Sequence, residues 1–460
     1  MNTDVKEEIE IIEDYRDELA APLAEMFNSW DELWPGGFTH GVPYTAERVR
    51  KWLSPMRAIA ILIAMDREQG KPVGFLSLLS HWRDPEAAYI GLLGVSPEVL
   101  GKKFGKHLLL RSLTIATQKG YRRVDLHTWA GNLRAVPLYK KLGFMWNPEG
   151  EGVYLQNYIP AILSHPLCAP FFKTHPDWYA LQRRELELAP DEMREEGMDL
   201  FIYSFVAGED SLRVLVDRYA RGITGVERVL GEERLRIEAC LSEHLTICGL
   251  PGEYTLRMEN GTSEELALTV SLEGFAGLRF DREPEPRLKV PAGGSAALTV
   301  PFRLDTSVPL YRKELKCPAI VATLTLEAEG EEQEFALATG LKIKPAAEIH
   351  TRFGECRALP GGRTTLPITT MSNLSTALRG KIRFEPPDHP ITIAPIEREI
   401  ELPPEGPAGV TVELALSEEL APGAYDLWAV LQLEKAGGDS DGDGDRDRDE
   451  DEDEDLTLTT

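Results

Sequence analysis

Two glycines lie between an apolar run and a helical pattern in the segment LGVSPEVLGKKFGKHLLL, residues 93–110. The pattern predicts a strand that ends at Val95 and a helix that begins near Phe104. A strand, a glycine turn and a helix in this order bring unpaired backbone N–H groups and the positive end of a helix dipole to one place. That place suits a pyrophosphate group. Gly101 and Gly105 alone are a weak signal, which is strengthened by the neighbouring cations Lys102, Lys103 and Lys106.

A second motif follows at residues 132–144, with the sequence NLRAVPLYKKLGF. Asn132 is a residue type that caps helices, and an apolar stripe at helical spacing runs through Tyr139. A phenol can also act as a general acid. The residues alone leave both alternatives open: Asn132 is a helix cap or a ligand donor, and Tyr139 is a core residue or a proton donor.

Together the two motifs resemble those of the GNAT acetyltransferase superfamily. Its acyl-CoA loop, V-x-P-x-x-[QR]-G-x-G-x-[GA], corresponds to residues 95–105. Its second motif, N-x-x-A-x-x-L-Y-x-x-x-G-F, is matched throughout by Asn132, Ala135, Leu138, Tyr139, Gly143 and Phe144. The order of elements agrees as well, and the resemblance covers about a third of the chain.

The resemblance implies an acetyltransferase that uses acetyl-CoA, with an amine attacking the thioester directly and no covalent enzyme intermediate. It implies that the strand at Leu93 and Val95 pairs with the pantetheine arm and that Asn132 hydrogen-bonds the arm from the other side. Tyr139 would protonate the departing CoA thiolate. The phosphates would be bound by the loop and the first helical turn, at Gly101, Lys102, Lys103, Phe104, Gly105 and Lys106.

Two residues depart from the family pattern. Leu100 replaces a Gln or Arg, which removes a polar side chain near the phosphates. Lys103 replaces the middle glycine, where its side chain either crowds the loop or adds a phosphate contact. The backbone donors survive both changes, so we expect CoA binding to be retained.

The general base is not identifiable from the sequence. The strand at residues 87–95 contains no carboxylate, Asp84 and Glu86 lie at its entrance, and His127 is on the next predicted strand. A water molecule would serve equally well.

Charge narrows the classes of partner. The net charge of −26 argues against nucleic-acid binding, which depends on clustered Lys and Arg. Residues 98–145 nevertheless hold ten basic and two acidic residues, a basic island that indicates a local anionic ligand. Residues 1–40 hold eleven acids and two bases, which favours a cationic amine if they border the acceptor site. Trp30, Trp34 and Trp129 line that pocket or belong to the core.

The chain is too long for one core, and its patterns predict a multidomain α/β plus all-β protein. Alternating strand and helix segments over 1–160 predict the acetyltransferase domain. Residues 161–250 form a mixed α/β bridging region with a helix candidate over 181–197. Short alternating runs predict β-sandwich modules at 251–346 and 347–435, and an acidic tail, expected to be disordered, follows at 436–460.

An internal repeat supports the two modules. Residues 288–305 align without gaps to residues 400–417, an offset of 112, and Met258–Asn260 recurs as Met371–Asn373, an offset of 113. The modules resemble bacterial immunoglobulin-like domains at the level of pattern only.

Metal and disulfide chemistry are not expected. The five cysteines are unevenly spaced without a CxxC pair, so they are expected to be buried, reduced thiols. Residues 439–450 fit a calcium-loop template, yet Arg446 occupies its apolar position and no helix pattern flanks it. The acidic N-terminus and the lack of a long apolar run predict a cytoplasmic protein without membrane contact.

The sequence therefore predicts an acetyl-CoA-dependent N-acetyltransferase that acts on a small-molecule or peptide amine, with a possible protein partner at the β-sandwiches. The alternative is a non-catalytic CoA-binding or partner-binding protein with a degenerate site, which Leu100 and Lys103 favour.

Overall fold

The N-terminal third is built on a seven-stranded sheet of order β1-β2-β3-β4-β5-β7-β6. The structure is a computed structural model that describes residues 9–150, 152–281, 287–305, 308, 310, 316–328, 331–351, 357–435 and 457–459. The strands of this sheet are β1 (Ile9–Ile12), β2 (Ala60–Asp66), β3 (Lys71–Ser80), β4 (Ala87–Val95), β5 (Arg123–Thr128), β6 (Phe144–Trp146) and β7 (Val153–Asn157).

Helices cover both faces of this sheet because its strands are apolar on both sides. Ile61, Ile63 and Phe75 pack against α1 (Ala20–Asn28) and α2 (Ala46–Leu53). The residues that alternate with them, such as Leu62 and Leu76, pack against the helices of the other face, α3 (Phe104–Gln118) and α4 (Ala135–Lys141). Short 3₁₀ turns lie at Asp17–Leu19, Ser29–Glu32 and Pro97–Val99.

The helix predicted over residues 181–197 is wrong. Three short helices precede this stretch, α5 (Ile159–Ser164), α6 (Ala169–Thr174) and α7 (Trp178–Leu181), and the stretch itself is extended. Arg184 and Asp191 explain the difference, because they pair with each other at 2.6 Å and also bond the backbone of β6. These tertiary contacts hold the chain extended in spite of its helical periodicity.

A nine-stranded sheet follows, of order β17-β19-β15-β13-β12-β11-β10-β8, with β9 also paired to β10. Its strands are β8 (Gln182–Arg183), β9 (Met193–Glu195), β10 (Met198–Ala207), β11 (Asp210–Asp217), β12 (Gly222–Leu230), β13 (Glu233–Leu241), β15 (Pro251–Asn260), β17 (Leu278–Phe280) and β19 (Gly294–Leu304). A short parallel pair joins β14 (Leu245–Ile247) to β22 (Lys342–Lys344).

A four-stranded sheet of order β18-β16-β20-β21 shares one hydrophobic core with the nine-stranded sheet. Its strands are β16 (Leu266–Glu273), β18 (Arg287–Val290), β20 (Ala319–Ala328) and β21 (Glu331–Gly340). Because β13 pairs with β15 from Leu235↔Asn260 to Leu241↔Tyr254, the boundary predicted at residue 250 lies within a sheet. The bridging region and the first module therefore share a sheet as well as a core.

Two four-stranded sheets, of order β23-β24-β28-β26 and β27-β25-β29-β30, enclose a separate core near the C-terminus. They comprise β23 (Ala347–Thr351), β24 (Arg363–Ser372), β25 (Leu378–Phe384), β26 (Ile391–Ala394), β27 (Glu397–Leu402), β28 (Pro407–Leu416), β29 (Ala429–Lys435) and β30 (Thr457–Thr459). The repeated segments occupy matching places, since β15 pairs with β19 as β24 pairs with β28. This strand-rich part is consistent with additional β domains.

Some sequence predictions concern residues that the structure describes only in part. The calcium-loop motif and the acidic tail lie outside the described residues, apart from β30. Cys168, Cys240, Cys248 and Cys317 are free and buried, as predicted, and Cys356 is outside the described part. None of the described helices has the length and apolar character needed to cross a membrane. The cytoplasmic location stays a prediction.

Candidate acetyl-CoA site

The central feature of the candidate site is a fork between β4 and β5. These strands pair in parallel only from Ala87↔Arg123 to Tyr89↔Asp125. On its other side β4 remains paired with β3 as far as Val95↔Gly74. Within the described residues, no strand covers the β5 side of β4 beyond Tyr89. The backbone groups along this edge, which include the predicted positions Leu93 and Val95, are therefore available to an extended ligand.

The loop after β4 turns on two residues with left-handed backbone. Gly101 has φ +82° and Lys103 has φ +68°. Glycine adopts this conformation without cost, whereas a lysine is strained in it by roughly 1–2 kcal/mol. The family pattern has a glycine at position 103, so this backbone retains the family conformation in spite of the side chain. Lys103 is exposed, which argues against crowding.

The N-terminus of α3 points into the fork. A Cβ on Gly105 would lie 3.6 Å from Leu138 Cδ2 and 3.8 Å from Val95 Cγ1, so this helix end lies between β4 and α4. Its cap, Lys103, makes no side-chain hydrogen bond to the helix. The first-turn N–H groups of Phe104, Gly105 and Lys106 have no carbonyl within the helix to bond. Phe104 is buried and fixes this end in place.

The three predicted lysines differ in their surroundings. Lys102 and Lys103 are exposed. The Lys106 ammonium lies 3.8 Å from the ring centroid of Tyr179 in α7, outside the N-terminal sheet. Burial lowers the pKa of Lys106, and the nearby charge of Lys103 lowers it further. Tyr179 thus holds one of the three lysines beside the loop, a contact that the sequence did not reveal.

Asn132 caps α4. Its Oδ1 accepts a hydrogen bond from the Ala135 N–H at 3.1 Å, and its Nδ2 donates to Thr128 Oγ1 at 2.9 Å. These bonds fix the side chain at the β5 side of the fork. The predicted hydrogen bond to the pantetheine arm stays a prediction.

Tyr139 is buried on the inner face of α4. Its ring lies 5.8 Å from that of Phe144, and 7% of the residue is exposed. Burial raises the pKa of Tyr139 well above its usual value, so the phenol is protonated at neutral pH. This is the state that a general acid requires, and it is also the state of any buried tyrosine.

Two of the three candidate bases are engaged in ion pairs. Asp84 accepts from Arg123 at 2.9 Å in the interior. Burial raises the pKa of Asp84, but the Arg123 charge outweighs burial and the net shift is downward. Glu86 pairs with Lys316 at 2.7 Å and with Arg122 at 3.2 Å, and these cations likewise outweigh burial to lower its pKa. Both carboxylates are therefore weak proton acceptors.

The third candidate base, His127, lies on β5. It is exposed, and its Nδ1 lies 3.2 Å from the Tyr89 hydroxyl of β4. Sequence analysis missed a group of rings around this pair, which we call the fork cluster: His81, Trp82, Tyr89, His127 and Tyr154. Only strand alternation pointed toward it, since Tyr89 lies on the face opposite to Ala88 and Ile90.

The tryptophans proposed for the acceptor pocket divide between core and surface. Trp30 is buried, with its ring against β4, and a Cβ on Gly94 would lie 2.6 Å from that ring. Trp34 stacks on Trp30 and is 38% exposed, and Trp129 is 51% exposed. Core packing is thus the role of Trp30, and the other two are accessible to a ligand.

A family model described as "Acetyltransferase (GNAT) family" matches residues 23–144. These residues form a GNAT acetyltransferase domain. The match includes the fork, the loop and all of α4, and it ends at Phe144.

Curated relatives match less than a quarter of the chain. Mycothiol acetyltransferase of Arthrobacter sp. (strain FB24) is 30% identical over 122 residues, which is 23% of this chain and 35% of that protein. An uncharacterised N-acetyltransferase of Methanocaldococcus jannaschii is 34% identical over 79 residues, 16% of this chain and 35% of that protein. The chain thus spans about a third of the length of the curated relatives it matches.

Among solved structures, the PaiA N-acetyltransferase of Thermoplasma acidophilum in complex with coenzyme A is 21% identical. It covers 33% of this chain and 98% of its own, with a TM-score of 0.27. A GNAT-family acetyltransferase of Streptococcus pneumoniae is 23% identical, covers 32% of this chain and 97% of its own, and has a TM-score of 0.28.

Proposed function

We propose that this protein is an acetyl-CoA-dependent N-acetyltransferase that acetylates an amine acceptor by direct attack on the thioester. The observation that carries the proposal is the open edge of β4 meeting the N-terminus of α3. An extended arm can pair with that edge while its pyrophosphate lies at Gly101–Lys106. The family match over residues 23–144 supports the same assignment.

In this proposal the backbone of Leu93 and Val95 holds the pantetheine arm, and Asn132 contributes its side-chain amide. The amine nitrogen forms a bond to the acetyl carbon and loses a proton, which ends on water, as the carbon–sulfur bond breaks. Tyr139 gives its proton to the leaving thiolate and regains one from water. Burial raises the pKa of Tyr139, so the phenol holds the proton that this step uses at neutral pH.

The acceptor in this proposal is an amine, and the structure bears on whether it is cationic. Several acids in the first forty residues are occupied: Glu13 accepts from Arg111 at 2.6 Å, and Asp31 accepts from the Thr39 N–H and hydroxyl at 2.6 and 2.7 Å. These pairs weaken the argument for a cationic acceptor. The mycothiol acetyltransferases match only the shared domain, so their names do not decide the acceptor either.

The non-catalytic alternative is not favoured. Leu100 is 44% exposed, so its apolar side chain does not fill the loop, and Lys103 keeps the glycine-like backbone. Neither departure removes the backbone donors on which phosphate binding depends.

The test combines binding with turnover. Calorimetric titration of CoA measures the site, and chromatography of released CoA measures transfer from acetyl-CoA to spermidine, L-lysine, kanamycin or trialanine. We expect CoA binding and turnover of at least one amine. Tyr139→Phe should lower kcat about 100-fold or more while leaving CoA affinity unchanged, because only the hydroxyl is lost. Failure of the wild type to bind CoA at millimolar concentration would contradict the proposal.

A further inference from the structure

The fork cluster lies on the face of the sheet opposite to α3. Ala88, Ile90 and Leu126 pack into the core under α3, so the residues that alternate with them, Tyr89 and His127, face the other way. Tyr89↔Asp125 is the last pair of the β4–β5 ladder, and His127 lies two residues beyond it. His127 is thus located where the strands part.

The position of His127 is fixed by rings on three sides. Its Nδ1 lies 3.2 Å from the Tyr89 hydroxyl, its ring centroid is 4.4 Å from that of Tyr154, and Trp82 stacks on it at 6.3 Å. The imidazole is nevertheless exposed, so it can exchange protons with water. A base in catalysis needs both a fixed position and a route for its proton to leave.

The carboxylates near the fork are unsuited to this task. Asp84 and Asp125 are buried and both bond Arg123, at 2.9 and 2.7 Å. Asp125 also accepts from the Tyr154 hydroxyl. Glu86 is paired with Lys316 and Arg122. An arginine or lysine partner stabilises the ionised carboxylate and so weakens it as a proton acceptor.

We propose that His127 is the general base of acetyl transfer and that Tyr89 is its positioning residue. The inference rests on the acetyltransferase function proposed above. As the amine nitrogen bonds to the acetyl carbon, its proton moves to Nε2 of His127. The carbon–sulfur bond breaks and the thiolate takes a proton from Tyr139. His127 then releases its proton to water, and Tyr139 regains a proton from water.

Tyr89 acts by holding the imidazole in place through its hydrogen bond with Nδ1. In the tautomer in which Nδ1–H donates to the Tyr89 oxygen, the lone pair of the imidazole is on Nε2, which is the atom that must accept the proton. Phenylalanine at position 89 would keep the ring and lose this hydrogen bond.

Several titratable groups surround His127 and bear on the interpretation of a pH profile. Tyr89 of β4 and Tyr154 of β7 have pKa values raised by burial, and Asp125 is held by Arg123. Burial lowers the pKa of His81 and outweighs the charge of Asp125, which raises it. Histidine is the side chain whose charge ordinarily changes between about pH 5 and 8. An acid limb in that range is assigned to His127 if His127→Gln removes it.

The experiment measures kcat against pH in the full-length protein. The probes are acetyl-CoA with whichever of the four amines turns over fastest and acetyl-CoA with water alone. We expect His127→Gln to lower kcat about 100-fold and to abolish the acid limb. Added imidazole should restore activity to His127→Ala at least tenfold, which no structural role would permit. Tyr89→Phe should lower kcat about tenfold and keep the limb. These factors are of the size expected for proton transfer.

Two controls keep the result interpretable. His350→Gln makes the same change on an exposed residue of β23, distant in sequence from the fork, and should leave the profile unchanged. Calorimetric CoA affinity should stay within about twofold in every variant, which shows that the fork is intact.

The contrary outcomes are separable. An active wild type whose acid limb survives in His127→Gln, or a His127→Ala variant that imidazole does not rescue, overturns His127 as the base and leaves water in that role. A wild type that releases no CoA with any probe overturns the acetyltransferase function and this inference with it.

Discussion

At the scale of single residues, Lys103 shows how a side chain can depart from a family pattern while its backbone does not. Its φ of +68° lies in the region that glycine adopts freely, yet the loop keeps this shape. The strain is retained where backbone N–H groups must point toward a ligand. A charge on an exposed side chain at this point offers a reason for tolerating it.

Lys103→Gly tests whether the charge of the lysine compensates for the backbone strain at this position. Removing the strain should raise the free energy of unfolding by about 1 kcal/mol. If the ammonium contacts a phosphate, CoA affinity should fall about five- to 150-fold, the equivalent of roughly 1–3 kcal/mol, and the loss should shrink as salt rises. Chemical denaturation and calorimetry at two ionic strengths measure both effects.

Lys103→Asn is the matched control, because asparagine tolerates left-handed backbone and carries no charge. It should lose CoA affinity as the glycine variant does. Tighter CoA binding in both variants, with little salt dependence, would show instead that the lysine crowds the ligand.

At the scale of elements, the fork depends on α4 starting at a defined residue. Asn132 fixes that start by bonding both the Ala135 N–H and the Thr128 hydroxyl, so it connects the helix to the end of β5. A frayed first turn would move Tyr139 relative to β4. In the proposed function, capping and catalysis are therefore connected through one side chain.

Asn132→Ala should lower the free energy of unfolding by about 1 kcal/mol, the usual cost of a lost cap. Asn132→Asp keeps an acceptor for the Ala135 N–H and should restore stability, but it has no amide to donate. If the amide also binds the pantetheine arm, the aspartate variant should bind CoA more weakly at wild-type stability. Equal CoA affinity in wild type and Asn132→Asp would reduce Asn132 to a cap.

At the scale of the whole molecule, the GNAT domain is joined to the strands that follow it. The buried Lys140 ammonium donates to the carbonyls of Glu187 and Ala189 at 2.5 and 2.7 Å. The Tyr203 hydroxyl donates to the Gly143 carbonyl at 2.8 Å. One hydrophobic core runs from Met145 to Ile343. Because of these contacts, we expect the first 346 residues to fold as one unit and not as the three separate domains predicted from the sequence.

A fragment of residues 251–346 should therefore fail to fold alone. It lacks β13, the partner of β15, and it lacks the core residues that precede position 251. Circular dichroism should show coil or aggregate for this fragment, whereas residues 1–346 should give β-type spectra and a cooperative urea transition. A cooperative transition of the short fragment would restore the boundary predicted at residue 250.

Acid should destabilise the protein through His165, which is buried against Phe335 of β21. Burial lowers the pKa of His165 to about 4. An unfolded histidine titrates near 6.5, so between about pH 6.5 and 4 the unfolded state binds more protons and stability falls as pH falls. At pH 5 the lowered pKa of His165 reduces the free energy of unfolding by about 2 kcal/mol. Denaturation measures the free energy of unfolding at pH 7 and at pH 5. The difference between the two values should be smaller by about 2 kcal/mol in His165→Phe than in the wild type. An unchanged difference would assign the acid sensitivity to other groups.

The sequence by itself determined the acetyltransferase domain and its loop. The strand at residues 87–95 and the helix that begins near Phe104 were predicted close to their observed bounds, because apolar periodicity and glycine stops are local signals. The helix start at Phe104 and the cap at Asn132 were read from neighbouring residues, and both are found. Local chemistry was sufficient wherever the stabilising partner lies within a few positions.

Only the tertiary structure decided the rest. The helical pattern over 181–197 was overridden by Arg184 and Asp191, whose partners lie about forty residues away in β6. The fork cluster unites residues from three strands and one loop, so no spacing in the chain reveals it. The pairing of β13 with β15 likewise depends on a register that alternation alone cannot fix. Long-range partners decided each of these features, and a linear pattern carries no record of which distant residues will meet.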